Sequence, residues 1–198
     1  MEKEKLLKIV LLGEIATGKT NLINCFLGNK FNPISTPTLN PNSLEKKLNI
    51  YDTNYTINIW DTIGQEKYRS LSKLFLKGAN IVIFVYDITK KSTFSELEYW
   101  VKLVEEEVGN TPILGVCGNK NDLYNLEEVN NLEGEEFANK IGALFVETSA
   151  KEDPISFNNF IIKLVKKYHR NKNHINNDVQ SIVLEKKPIK KKKAQMLC

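Results

Sequence analysis

At 198 residues, the chain is long enough for one ordinary domain, or for one domain with a tail. No run of eighteen apolar residues occurs, and the charged start Met1–Lys5 leads directly into a predicted strand. We therefore expect neither a membrane-spanning segment nor a signal peptide. Three cysteines without clustered spacing argue against disulfides and zinc and favour a reducing cytosol. We expect Cys25 and Cys117 to be small core residues.

The net charge of +4 is unevenly placed along the chain. Residues 171–198 hold seven lysines against two acidic residues, a net charge of +5, which leaves −1 for residues 1–170. This distribution predicts a globular domain over residues 1–170 and a flexible basic tail over residues 171–198. A near-neutral domain is not typical of nucleic-acid binding, so we expect no nucleic-acid partner.

The first predicted strand, Leu6–Leu12, leads into Gly13–Thr20, which reads Gly, four residues, Gly-Lys-Thr. Apolar spacing predicts a helix over Asn21–Leu27. A strand, a glycine-rich turn and a helix together favour phosphate binding, because backbone N–H groups and the positive end of the helix all point at the anion. Lys19 would add a positive charge near the outer phosphates, and Thr20 would offer its hydroxyl to Mg²⁺.

The next stretch predicts a loop and a hairpin. Asn32–Asn42 is rich in proline and asparagine and predicts an irregular loop, which at this length is usually functional or disordered. The strands Leu44–Ile50 and Tyr55–Trp60 flank the turn-like cluster Tyr51–Asn54, so we predict an antiparallel hairpin. The second strand ends at the polar segment Asp61–Glu66.

The second half of the chain alternates strands with helices. The predicted strands are Asn80–Tyr86, Ile113–Cys117 and Ala143–Val146, and the predicted helices are Ser92–Glu107 with Ser92 as N-cap, Glu127–Lys140 and Pro154–Tyr168. Fully apolar strands are buried on both faces, which implies a parallel sheet covered by helices. We therefore predict an α/β fold, a doubly wound, mostly parallel six-stranded sheet with one antiparallel strand and flanking helices.

In such sheets, ligands bind beyond the carboxyl ends of the strands. Four polar segments lie at such ends and are expected to form one site: residues 13–20, 61–66, 118–122 and 147–151. The carboxylate of Asp122 can accept hydrogen bonds from the ring N–H and the exocyclic amine of guanine, a pair of donors that adenine lacks. Lys120 can lay its aliphatic stem over the base plane.

Together these segments resemble the Ras superfamily of small GTPases. The motifs that carry the resemblance are Gly13…Gly18-Lys19-Thr20, Trp60-Asp61-Thr62-x-Gly64-Gln65-Glu66, Asn119-Lys120-x-Asp122 and Glu147-Thr148-Ser149-Ala150-Lys151. Trp60-Asp61-Thr62, Lys77-Gly78-Ala79, Tyr86-Asp87-Ile88-Thr89 and the tail that ends in cysteine resemble the Rab family. The resemblance covers residues 6–168 in order and spacing, and it implies the P-loop small GTPase fold.

The resemblance implies a molecular switch in vesicle or membrane traffic that binds GTP or GDP with Mg²⁺ and hydrolyses GTP to GDP and phosphate. It implies nucleotide-binding roles for the following residues: Gly13, Glu14, Ile15, Ala16, Thr17, Gly18, Lys19, Thr20, Asn21, Phe31, Thr38, Asp61, Gly64, Asn119, Lys120, Asp122, Ser149, Ala150 and Lys151. The implied metal-binding residues are Thr20, Thr38 and Asp61. The implied catalytic residues are Lys19 and Gln65, of which Gln65 orients the attacking water.

For five of these residues, the resemblance implies a specific contact with the nucleotide, with Mg²⁺ or with Asp122. The resemblance implies that Phe31 packs edge-on against the guanine and that Thr38 meets Mg²⁺ by its hydroxyl and the γ-phosphate by its backbone. It implies that the N–H of Gly64 senses the γ-phosphate, and that Ser149 and Ala150 fix Asp122 and the guanine oxygen.

Partners are implied as well. Because the γ-phosphate orders the segments around Thr38 and Gly64, residues 31–45 and 62–77 are the implied surface for effectors, an exchange factor and an activating protein. We expect a cytoplasmic protein, peripheral on the cytosolic face of an intracellular membrane.

The end of the chain carries a possible membrane anchor. Cys198 follows Lys190–Lys193, which suggests geranylgeranylation together with attraction to anionic lipid. The alternatives are an unmodified solvated tail or a lysine run of the nuclear-localisation type, because the cysteine is last rather than fourth from the end.

Two isoleucines depart from the family pattern beside the implied site of water attack. Ile15 stands where the family usually has glycine or serine, and Ile63 where it usually has alanine, while Ala16 replaces glycine, a milder change. We expect normal GTP and Mg²⁺ binding with slow hydrolysis, unless the loop has re-packed around both side chains. The alternative is a GTP-locked pseudo-GTPase that recruits partners. A nucleoside kinase is disfavoured, because its lid is arginine-rich and the chain has only Arg69 and Arg170.

Overall fold

The structure, a computed structural model, describes residues 4–34, 38, 42–62 and 69–185, and the side chains of all of these except 69–72 and 174–185. The strands are β1 (Lys5–Leu12), β2 (Asn42–Ile50), β3 (Thr53–Asp61), β4 (Ile81–Asp87), β5 (Ile113–Asn119) and β6 (Leu144–Thr148). The α-helices in these ranges are α1 (Lys19–Phe26), α2 (Arg69–Leu76), α3 (Lys91–Ser95), α4 (Leu97–Val108), α5 (Asn131–Lys140) and α6 (Pro154–Glu185). A 3₁₀ helix covers Asn121–Leu126.

The strands form one six-stranded sheet in the order β2-β3-β1-β4-β5-β6. β2 runs antiparallel to β3, and every other neighbouring pair is parallel. The predicted fold class is confirmed. β4 is buried at every position, as its unbroken apolar sequence requires of a central parallel strand.

Helices cover both faces of the sheet. The alternation along β1 divides its side chains between two cores: Leu7, Ile9 and Leu11 join α1 and α6, and Val10 and Leu12 join α4 and α5. The two cores lie on opposite faces of the sheet, and they hold the strands and therefore their carboxyl ends at fixed positions.

Three helix starts differ from the sequence prediction. α1 begins at Lys19 rather than Asn21. The predicted helix Ser92–Glu107 is divided at Glu96 into α3 and α4, and its N-cap position is Lys90 rather than Ser92. The hydroxyl of Thr93 donates to the Lys90 carbonyl and accepts from the backbone N–H of Asp87, which ties the start of α3 to β4. α5 begins at Asn131 rather than Glu127 because Asn130 forms a capping box with Glu133.

The largest difference lies at the end of α6, which we predicted to stop at Tyr168. The helix continues to Glu185 rather than ending at Tyr168, and the flexibility of residues 171–198 stays a prediction. No glycine or proline occurs between Ile155 and Lys187, and therefore no backbone-breaking residue ends the helix earlier. Residues 186–198 lie outside the described residues, and the domain boundary at residue 170 stays a prediction. Within the described ranges no helix, α6 included, is long and apolar enough to cross a membrane.

The turn between β2 and β3 is tighter than predicted. Only Tyr51 and Asp52 separate the strands, because Ile50 already pairs with Thr53. Both turn residues are left-handed, with φ of 51° and 56°, as a two-residue hairpin of this twist requires. The ring of Tyr51 lies 5.4 Å from that of His169, so the turn is packed against α6.

We expect Asp52→Ala to lower the free energy of unfolding by about 1 kcal/mol relative to Asp52→Gly, because alanine is disfavoured in the left-handed region and glycine is not. Urea denaturation of the two variants at one fixed buffer condition measures the difference. Asp52→Asn serves as a control and should stay close to the wild type, since asparagine tolerates this conformation. Equal stability of the alanine and glycine variants would contradict the turn geometry.

Candidate functional site

A pocket of about 530 Å³ opens at the carboxyl ends of the strands, within the size range of small-molecule sites. It draws on all four polar segments that the sequence singled out. Its lining residues are Ile15, Ala16, Gly18, Lys19, Thr20, Asn21, Phe31, Pro33, Thr38, Thr62, Asn119, Lys120, Asp122, Leu123, Ser149, Ala150 and Lys151.

Some predicted site residues do not line the pocket. Four lie behind the lining and support it: Gly13, Glu14, Thr17 and Asp61. Gly64 and Gln65 lie outside the described residues. In turn, Pro33, Thr62 and Leu123 line the pocket although the sequence analysis did not select them. Thr62 stands in the motif Trp60-Asp61-Thr62, which was its signal in the sequence. Pro33 and Leu123 each stand within two residues of a selected position.

The loop between β1 and α1 surrounds a buried lysine. Lys19 is 5% exposed, and its Nζ donates to the carbonyl oxygens of Gly13 (2.8 Å) and Glu14 (2.9 Å). Burial lowers the pKa of Lys19 to about 8, against the opposing effect of the Asp61 and Glu14 charges. A cation in this position is stabilised by an anion placed at the mouth of the loop, so a bound phosphate would raise the pKa of Lys19 again.

The same loop holds a non-glycine residue in a left-handed conformation. Ala16 has φ of 62°, a conformation that costs an L-residue about 1 kcal/mol. We expected the replacement of glycine by Ala16 to be a mild change, but the left-handed backbone shows that glycine is favoured at this position. Gly13 is needed for a second reason, since a Cβ there would lie 2.1 Å from the Val85 carbonyl oxygen of β4.

Two contacts brace the loop from outside. Nε1 of Trp100 in α4, a fully buried residue, donates to Oε1 of Glu14 at 3.2 Å. The hydroxyl of Thr17 donates to the Glu14 carbonyl at 2.9 Å. The loop is therefore connected to α4, a helix that no sequence motif linked to the site.

Three predicted metal-binding residues meet beside Lys19. Oδ2 of Asp61 accepts from the hydroxyls of Thr20 (2.7 Å) and Thr38 (3.2 Å), and the two hydroxyls lie 3.0 Å apart. Burial raises the pKa of Asp61, against the opposing effects of the Thr20 hydrogen bond and the Lys19 charge. Oδ1 of Asp61 is buried without a hydrogen-bond partner in the described part of the chain. Two hydroxyls, a carboxylate and an unused carboxylate oxygen fit a hard cation such as Mg²⁺.

Asn119 connects the phosphate side of the pocket with the opposite side. Its Nδ2 donates to the Thr17 carbonyl at 2.8 Å, and its Oδ1 accepts from the Ala150 backbone N–H at 3.1 Å. A Cβ at Gly18 would lie 2.3 Å from this Nδ2, so the close approach requires glycine. Asn119 is 1% exposed, and both the NH₂ group and the oxygen of its amide form hydrogen bonds within the protein. Asn119 therefore links the two loops.

The carboxylate of Asp122 is held by a neighbour from the next strand end. Its Oδ1 accepts from the hydroxyl of Ser149 at 2.6 Å, and Nζ of Lys151 lies 3.8 Å from its Oδ2. Behind them, the thiol of Cys25 donates to the Ala150 carbonyl at 3.1 Å, a role that we did not predict for this cysteine. Burial raises the pKa of Cys25, which keeps its proton available for this bond.

Lys120 is positioned by a residue that the sequence analysis did not select for the site. Its Nζ lies 2.6 Å from Oδ2 of Asp87, which is 1% exposed at the end of β4. The backbone of Lys120 is left-handed, with φ of 71°. Oδ1 of Asp87 also accepts hydrogen bonds from the backbone N–H and the hydroxyl of Thr89. These bonds fix the orientation of the carboxylate that contacts Lys120. Asp87 belongs to the motif Tyr86-Asp87-Ile88-Thr89, and this motif was the sequence feature that could have selected it.

The fold and the pocket together define a class of protein. A phosphate loop after the first strand of a doubly wound sheet, a hydroxyl and carboxylate cluster beside it, and a carboxylate across the pocket are the parts of a P-loop nucleotide-binding protein.

Comparison with known proteins gives the family. A sequence model of the Ras family matches residues 8–170. The chain is 36% identical to the Ras-related protein Rab-22A of Homo sapiens over 158 residues, which are 80% of this chain and 81% of that protein. It is 40% identical to the Ras-related protein Rab-21 of Bos taurus over 146 residues, which are 74% of this chain and 66% of that protein. The chain therefore belongs to the Ras family of small GTPases, and within it to the Rab family.

Membership in the Rab family shows the general function of this chain. The chain is a Rab-like small GTPase of membrane traffic that binds guanine nucleotides and acts with regulators and effectors. Ras-family GTPases generally bind their nucleotide with Mg²⁺.

We expect Asp87→Asn to raise the rate of GDP dissociation about tenfold, because the charged partner that fixes Lys120 is lost. Stopped-flow release of a fluorescent GDP analogue measures the rate. A double-mutant cycle with Lys120→Met is the control: once Lys120 is gone, Asp87→Asn should have little further effect. Purely additive effects would show that Asp87 does not act through Lys120.

Proposed function

We propose that this chain is a Rab-like switch that binds GTP or GDP with Mg²⁺ and hydrolyses GTP slowly. Family membership supports GTP binding and hydrolysis in general. The single observation that carries the slow rate is the position of Ile15, which lines the phosphate end of the pocket and remains 38% exposed.

The described residues suggest how the nucleotide would be held. The backbone of the loop at residues 13–20 and the ammonium group of Lys19 bind the phosphates, and Asp122 and Lys120 bind the base. Thr20, Thr38 and Asp61 would hold Mg²⁺, which neutralises charge on the β- and γ-phosphates.

Phe31 contributes to the wall of the pocket and packs against the core. The amide of Asn21 donates to the Asn32 carbonyl at 3.0 Å, which ties the start of this loop to α1.

Ile15 bears on the hydrolytic step. Hydrolysis requires a water in line with the γ-phosphate, oriented in this proposal by Gln65. A branched side chain that is one-third exposed at the pocket has not been taken into the core, which argues against a loop re-packed around it. It occupies space that the water, Gln65 or an arginine from an activating protein would need. Ile63 and Gln65 lie outside the described residues, so their part in this crowding stays a prediction.

The same crowding favours a second candidate function. If Ile15 excludes the attacking water altogether, the chain stays bound to GTP and acts as a pseudo-GTPase that recruits partners. The two candidates share the pocket and differ in whether bound GTP is turned over.

We expect single-turnover hydrolysis to be at least about tenfold faster in the Ile15→Gly, Ile63→Ala double variant than in the wild type, because the variant admits the water and Gln65. The measurement follows phosphate release from protein loaded with GTP. Ile155→Ala, which changes an exposed isoleucine outside the pocket, is the matched control and should hydrolyse at the wild-type rate. Equal rates in the wild type and the double variant would refute the proposal, and no turnover in the wild type alone would establish the pseudo-GTPase.

We expect removal of Mg²⁺ with a chelator to accelerate GDP release about tenfold or more in the wild type, because Thr20 and Asp61 would hold the cation and its charge would offset that of the phosphates. In Asp61→Ala the acceleration should be much smaller, since part of the cation site is already absent. A fluorescent GDP analogue reports both rates. An unchanged response to the chelator in Asp61→Ala would remove Asp61 from the metal site.

We further propose that residues 31–45 and 62–77 carry the surface read by an exchange factor, an activating protein and effectors. Thr38 supports this assignment, because its hydroxyl bonds to Asp61 and would lose or gain a partner with the nucleotide state. We also propose peripheral membrane association on the cytosolic face of an intracellular membrane, through the lysines of the tail and a lipid on Cys198.

A further inference from the structure

One surface of α6 has a charge that the rest of the domain lacks. Residues 154–177 hold five lysine or arginine residues and no acidic residue, whereas residues 1–153 hold 17 basic residues against 22 acidic ones, a net charge of −5. Four of the five cations follow the spacing i, i+3, i+4, i+7 and share one face of the helix. We call these four residues the basic stripe: Lys163, Lys166, Lys167 and Arg170. Lys172 lies on the opposite side of the helix.

The basic stripe is not neutralised by the protein. None of the ion pairs between described side chains involves one of its members. Their contacts are with neutral groups: Lys167 donates to the Gly142 carbonyl, and Lys166 lies 5.7 Å from the ring of Tyr51. Elsewhere on the surface, helix lysines do pair with acids, as Lys73 does with Glu107 at 2.7 Å. A cationic face without acids is suited to an external anion.

The basic stripe ends far from the nucleotide pocket. α6 begins beside the Ser149–Asp153 bridge at the carboxyl ends of the strands and runs back to the β2–β3 turn at the other end of the sheet. There, Arg170 donates to the hydroxyl of Tyr51, and Nδ1 of His169 lies 2.8 Å from the hydroxyl of Tyr55. Tyr51 is 51% exposed, which leaves an aromatic ring next to the cations.

We propose that the basic stripe and the ring of Tyr51 form a contact between the folded domain and an anionic lipid surface. The inference rests on the membrane association proposed above and adds an orientation to it. Lysines attract anionic lipid, and amphipathic tyrosine rings are favoured at the membrane–water interface. Lipid is favoured over nucleic acid because the sequence after this helix carries Lys190–Lys193 and Cys198, which are the lysines and the lipid site of the membrane association proposed above.

This contact has a consequence for the switch. With Arg170 and Tyr51 on the membrane, the nucleotide pocket lies at the other end of the sheet, where regulators and effectors reach it. The tail then serves as a tether, and the domain has a defined orientation.

The test uses the full, unlipidated chain loaded with GDP and vesicles of phosphatidylcholine with or without about 30% phosphatidylserine. The stripe variant carries Lys163→Gln, Lys167→Gln and Arg170→Gln. We expect it to bind the anionic vesicles about tenfold more weakly than the wild type, and the wild-type binding to weaken sharply at high salt. A second variant with only Lys163→Gln and Lys167→Gln keeps the Arg170–Tyr51 contact and should lose an intermediate amount.

The matched control removes three exposed lysines from other faces: Lys90→Gln, Lys102→Gln and Lys140→Gln. It has the same net charge as the stripe variant, and we expect it to lose less than about threefold. Equal losses in the two variants, or no loss in the stripe variant, would overturn the proposal. A stripe variant that loses binding to duplex nucleic acid but not to vesicles would also overturn it.

A GDP titration of every variant separates this inference from the proposed function. Retained GDP affinity shows that the variants are folded, since none of the substituted residues lines the pocket. A wild type that fails to bind GDP would refute the nucleotide switch, while the vesicle comparison would still judge the stripe. A wild type that binds GDP but not the anionic vesicles would refute the stripe alone.

Discussion

The buried ammonium group of Lys19 is the interaction on which the site depends. It is enclosed by the carbonyls of its own loop, and its burial is costly until an anion arrives. Burial of apolar side chains in the two cores offsets this unfavourable free energy, because the cores fix β1 and α1 on either side of the loop. Nucleotide binding is thus the step that completes a charge arrangement already present in the fold.

The other loops are held to this one before any ligand binds. Asn119 bonds to the phosphate loop with one end of its amide and to the base side with the other, and Cys25 reaches from α1 to the carbonyl of Ala150. Such links hold the pocket in shape, so less of the binding free energy is spent on ordering it. The surface charge is also unevenly placed, because the exposed side of α6 between Lys163 and Arg170 carries cations and no acidic residue.

Two of the four left-handed non-glycine residues of the described chain lie at the pocket, and the other two form the β2–β3 turn. Ala16 and Lys120 are both left-handed, one beside the phosphates and one beside the base. Strain of this kind persists only where neighbours impose it, and Asp87 is the neighbour in the case of Lys120. Ile15 is different, because it lines the pocket without being buried. In the proposed function, its effect on hydrolysis comes from the space that it occupies.

The sequence by itself determined the sheet, the order of its elements and the set of loops that meet at the pocket, because apolar runs and glycine-rich turns act over a few neighbouring residues. It also identified Lys19, Asp122 and the hydroxyl residues by their motifs. Only the tertiary structure decided that Asp87 holds Lys120 and that Cys25 reaches Ala150, since these partners are 33 and 125 positions apart. It also decided that α6 continues to Glu185, where local composition had suggested a linker. Contacts of this range depend on how elements pack together, and no local pattern records that packing.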